Sequence, residues 1–155
     1  MADPHAPVAH AFGKQVCNGN HDAEVFCALA YNWFHAIDDW LDSREDGRPT
    51  MTSEQFLEMI MTHTLMMNCR FWKQHSDMLL GCIVAVHNQY ADSVLWERDP
   101  KEHRRHLASV LRMSGDDLFI LVAMICGGIG HMRKLSPVIR ETDWLRQQND
   151  PTDEF

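Results

Sequence analysis

Residues His21 to Asp42 read HDAEVFCALAYNWFHAIDDWLD, and this stretch decides how the rest of the chain is read. Val25, Leu29, Trp33, Ala36, Ile37, Trp40 and Leu41 recur at steps of three and four, which predicts an amphipathic helix with these residues on its core face. Asn20 stands where a helix N-cap would accept a backbone N–H. Asn32, His35, Asp39 and Asp42 trace a second, polar stripe with Asp38 beside it. The helix therefore carries both a core face and the chain's densest group of carboxylates.

Working outward, helix signals recur and strand signals do not. Ser43 to Thr50 reads as a loop, with charges, Gly47 and Pro49. Thr52 with Gln55 three residues on forms a capping box for a helix to about Asn68, with Phe56, Leu57, Ile60 and Leu65 as its apolar positions. A long helix follows from about Phe71 to Trp96. Asp99 and Pro100 open another to about Arg112, Ser114 caps the next, and Ser136-Pro137 starts a short last one. The expectation is an all-α fold: a single-domain bundle of five or six helices over 21–148, an N-terminal arm at 1–20 and an acidic tail at 149–155.

Composition narrows the function classes. A chain of 155 residues with 45% hydrophobic content has enough material for its own core. Fourteen basic against 22 acidic residues, net charge -8, argue against a nucleic-acid surface, which needs clustered Lys and Arg. Five scattered cysteines without a CxxC pair fit reduced thiols, hence a cytoplasmic setting. The N-terminus lacks the pattern of a secretion signal, and the longest apolar run, Leu118 to Ile129, is too short to span a bilayer. Gly127-Gly128-Ile129-Gly130 follows an apolar helix rather than a strand, so close packing or a helix end accounts for it better than phosphate binding.

Asp38, Asp39 and Asp42 repel one another, and at a helix C-terminus they also oppose the macrodipole. A divalent cation would relieve that repulsion, and carboxylate oxygens suit Mg²⁺, which in turn attracts a diphosphate. Asn32 and His35 would then line the cleft. The simpler alternative is a solvated helix exit neutralised by Arg44 and Arg48.

Asp38-Asp39-Trp40-Leu41-Asp42 followed by Gly47-Arg48-Pro49-Thr50 resembles the first aspartate-rich motif of trans-isoprenyl diphosphate synthases. The resemblance implies Mg²⁺ held by Asp38 and Asp42 with Asp39 assisting, and an allylic diphosphate ionised in a dry apolar cavity. It spans Ile37 to Thr50 only. Glu45-Asp46 stands where that family carries an arginine pair, and Asp116-Asp117-Leu118-Phe119-Ile120 lacks the closing aspartate of a second motif. Gln89, Ser93 and Glu97, at steps of four, resemble the second metal-binding motif of terpene cyclases. Asn88 and Asp92 form an adjacent pair at the same spacing.

Other constellations fall away. No Glu-x-x-His pair supports a di-iron bundle, and Arg104 and Arg105 oppose a cation at His103 and His106. His21-Asp22 resembles the doublet of HD phosphohydrolases without its companions. Two readings remain: Mg²⁺-dependent binding or turnover of a diphosphate, and a non-catalytic helical interaction protein, homo-oligomeric, with a solvated acidic cluster. The residues leave open whether the chain is an enzyme.

Overall fold

The computed structural model describes residues 13–45 and 51–148, without the side chains of 41–45 and 143–148. Five helices of eleven residues or more follow a helical stretch at 13–17: α1 (His21–Glu45), α2 (Ser53–Asn68), α3 (Arg70–Trp96), α4 (Glu102–Arg112) and α5 (Gly115–Gln148). No strand occurs among the described residues, so the all-α class holds. The helices gather into two compact units, Met1–Ser76 and Asp77–Phe155. The division falls beside His75, whose non-helical backbone (φ -131°, ψ 16°) kinks α3.

In the first unit, local capping sets the helix starts. Asn20 Oδ1 accepts the Ala23 N–H at 3.1 Å, the expected cap of α1. Thr52 and Gln55 form the expected capping box of α2, with bonds of 3.2 and 2.9 Å. Cys69 is the sole residue between α2 and α3, and its sulfur accepts the Trp72 N–H at 3.5 Å.

The core face of α1 overlaps the expected one but is centred differently. Ala23, Phe26, Cys27 and Ala30 are buried; of the expected stripe, Leu29, Trp33, Ala36, Ile37 and Trp40 are half-buried and Val25 is exposed. Aromatic packing selects this face: the Phe26 ring lies 5.5 Å from Phe71 and 6.4 Å from Trp72. α2 packs on α1. The expected core positions of α2, Phe56, Leu57, Ile60 and Leu65, are all exposed, and of its residues only Met66 is buried. Met59, Thr62, His63 and Met66 form the covered stripe instead, with His63 4.8 Å from the Trp33 ring.

In the second unit, Leu79, Ile83 and Val86 on α3 and Leu118, Val122, Leu135 and Ile139 on α5 are buried at helical spacing. The corner between α3 and α4 is organised by Asp99. Its carboxylate accepts the Lys101 N–H at 2.9 Å and the Arg104 guanidinium at 2.8 Å, while its carbonyl accepts from Arg105 at 2.8 Å. Those contacts, the Lys101 amide first and Arg104 next, hold the Asp99 carboxyl below the usual carboxylate range. Ser114 does not cap α5 through its side chain, since its buried Oγ has no hydrogen-bond partner.

The expected break at Ser136-Pro137 is absent, and Pro137 lies inside α5. The break falls instead at Gly128, whose φ of 76° and ψ of -179° belong to a region open essentially to glycine alone. Gly127 is constrained too, because a Cβ there would sit 2.5–2.6 Å from the His131 side chain. By length and composition alone, the stretch Glu102–Thr142 holds one window apolar enough to cross a membrane, and 22% of that window is buried. The stretch is not one continuous helix: a turn at 113–114 separates α4 from α5, and Gly128 interrupts α5. Gly115 to Gly127 reaches only about 20 Å, short of a bilayer's hydrocarbon core.

Two outcomes are expected. Gly128→Ala should destabilise the protein by about 1–3 kcal/mol in urea denaturation, while Gly130→Ala, where a Cβ meets nothing, should be neutral or mildly stabilising. Asp99→Asn should lower the melting temperature at neutral pH. A depressed carboxyl pKa contributes stability above the unfolded-state value of about 4 and loses it as pH falls through the native value. The difference between wild type and variant should therefore shrink on acidification.

Candidate functional site

The carboxylate cluster sits on the last turns of α1. Asp39 is exposed and Asp38 is half-buried, while the Asp42 side chain and Gly47 to Thr50 lie outside the described residues. Asn32 and His35, expected to line a cleft, are exposed, and the His35 ring lies 4.2 Å from Tyr31. Among the described residues no group of three His, Cys, Asp or Glu side chains is placed to hold a metal ion.

The second expected set belongs to the other compact unit, on the C-terminal half of α3. Its polar groups have local partners. Asn88 Nδ2 donates to Asp92 Oδ2 at 3.4 Å, and the fully buried Ser93 hydroxyl donates to the Tyr90 carbonyl at 2.7 Å. Glu97 accepts from Arg112 at 3.1 Å, and that guanidinium also lies 5.7 Å from the centre of the Tyr90 ring. Gln89 Oε1 is buried without a hydrogen-bond partner. Ser93 and Glu97 are thus engaged in fastening α3 internally and to α4.

The feature that sequence reasoning assigned to the core, and that the structure turns outward, is the apolar face of α2. Leu57, Met61 and Leu65 stand at i, i+4 and i+8 with exposures of 59, 63 and 56%, and Phe56 and Ile60 flank them. Glu54, Leu57, Glu58, Met61, Thr62 and Leu65 line an open depression built by this helix alone. Exposed apolar residues scattered singly are ordinary, but five within three turns of one helix form a patch. The signal for it was present in the sequence: α2 has apolar residues on both sides, more than one buried stripe can use.

The chain matches no known protein family, and neither a characterised protein nor a solved structure shows significant similarity to it.

Among the titratable groups of the second unit, Cys82 stands out. Burial, and secondarily the Asp117 carboxylate, push its thiol up to about 11. Asp117 itself accepts from Arg140 at 2.6 Å. At pH 8 Cys82 should react with iodoacetamide roughly a hundredfold more slowly than an unperturbed thiol, as followed by peptide mass spectrometry. Asp117→Asn should recover only the smaller part of that factor, because burial is the larger cause.

Proposed function

We propose that this chain is a non-catalytic helical interaction protein that pairs with a second copy of itself through the outward face of α2. The observation that carries the reading is the exposed run Phe56, Leu57, Ile60, Met61 and Leu65 on a helix whose other face already covers α1. Surface of this kind is stabilised by removal from water, at about 25 cal/mol per Å² of apolar area.

Charge favours a copy of the same helix in antiparallel orientation. The acidic residues bordering the depression, Glu54 and Glu58, lie toward its N-terminal end, and α2 has no basic residue in its last turn. A two-fold axis near Met61 would set Leu57 against the partner's Leu65. It would bring Glu54 beside the charge-free end of the other helix, whereas parallel pairing would stack like charges. Antiparallel helix dipoles also attract.

The acidic end of α1 is, in this reading, solvated surface. The alternative role for it, Mg²⁺ held against a diphosphate, has its own readout: calorimetric titration of the full chain with Mg²⁺ and inorganic diphosphate. Heat that disappears in Asp38→Ala would favour metal binding over the present reading.

Self-association itself is read by sedimentation velocity across a concentration series. Wild type should sediment as a dimer at the upper end. Leu57→Glu and Met61→Glu should each weaken pairing at least roughly tenfold, since each substitution enters the interface twice. Their melting temperature at low concentration should stay near that of the wild-type monomer, because both side chains are exposed. A wild type that remains monomeric, or variants that pair as well as it does, would overturn the proposal.

A further inference from the structure

The helical stretch at 13–17 buries Val16 and Cys17, both without solvent exposure. The chain then reverses through two left-handed residues, Asn18 (φ 49°) and Gly19 (φ 79°), before Asn20 caps α1. That reversal returns Cys17 to the side of α1, where its thiol donates to the buried Cys27 sulfur at 3.7 Å. A disulfide needs the sulfurs about 2.05 Å apart, so an approach of about 1.7 Å separates this thiol pair from a bond.

We propose that Cys17 and Cys27 are a dithiol–disulfide pair, a modification site through which a peroxide oxidant latches residues 13–17 onto α1. The chemistry balances in two steps. One thiol reacts with hydrogen peroxide to give a sulfenic acid and water. The second thiol then attacks that sulfur, forming the S–S bond and releasing a second water. Two thiols are oxidised by two electrons in total, and one peroxide is reduced.

Burial sets the order of events. Both sulfurs are buried, so the oxidant reaches them when the short 13–17 stretch lifts. Once formed, the bond closes the loop between positions 17 and 27 and removes the opening that admitted the oxidant. This device is independent of how the outward face of α2 is used.

The test uses the full chain, treated with hydrogen peroxide, then denatured and alkylated without reduction. The expected intact mass is that of a monomer lighter by two hydrogen atoms before alkylation. Alkylatable thiols should fall from the five in the sequence to three. Peptide mapping should find Cys17 joined to Cys27, and a reductant should restore all five thiols. Cys17→Ser and Cys27→Ser should each keep every remaining thiol alkylatable. Amide exchange over 13–20 should slow at least roughly tenfold in the oxidised protein. Five alkylatable thiols after treatment, a different pairing, a cross-link between two chains, or unchanged exchange over 13–20 would overturn the proposal.

Discussion

The first unit depends on the burial of Phe26 against Phe71 and Trp72. This contact fixes the rotation of α1 by putting Ala23, Phe26, Cys27 and Ala30 inward, and it ties the start of α3 to the same core. α2 has little freedom left. It starts at a capping box at Thr52 and ends one residue, Cys69, before α3. Met59, His63 and Met66 become the covered stripe and the bulkier apolar residues face out.

Helix existence was legible in the sequence, and so were the starts of α1 and α2, because their causes are local; α4 instead begins at Glu102 behind Lys101 rather than at Asp99-Pro100, and Ser114 does not cap α5 through its side chain. The Thr52–Gln55 box and the Asn20 cap involve groups three residues apart, and both occur as expected. Helix rotation was legible only in part. Val25 and Phe26 are neighbours, either could seed an amphipathic stripe, and only the distant Phe71 and Trp72 decide between them. In α2 the ambiguity is greater, since apolar residues ring the helix and periodicity selects no face. Pro137 misled for a related reason: a proline signals an interruption, but glycine is the residue that can adopt the backbone found at the actual break, Gly128.

The acidic cluster marks where local reading ends. Spacing alone places Asn32, His35, Asp38 and Asp39 near one another on α1, and the helix is where it was expected. A metal site needs more than spacing, because ligands must converge from more than one direction around the ion. Asn32, His35 and Asp39 are exposed, Asp38 is half-buried, and the Asp42 side chain that completes the set lies outside the described residues. On α3 the residues at matching spacing already serve one another and Arg112, as Ser93 does with Tyr90 and Glu97 with Arg112. Convergence is a tertiary property, and a single helix motif cannot encode it.

Net charge and the apolar face act over different ranges, and their combination bears on what kind of association this surface permits. A charge of -8 repels approaching copies over about a Debye length, roughly 8 Å at physiological salt. The hydrophobic attraction of α2 acts only at contact, where water is expelled. Random collisions are therefore discouraged, and the favoured arrangements are those that bury much apolar area while keeping acidic groups apart. The proposed antiparallel two-fold pairing of α2 would do both, and would consume the face in doing so. A closed pair offers no second copy of the patch, whereas a head-to-tail contact would leave one exposed at each end and permit growth. In such a pair, the position of Glu54 and Glu58 toward one end of the stripe would favour the antiparallel orientation over the parallel one.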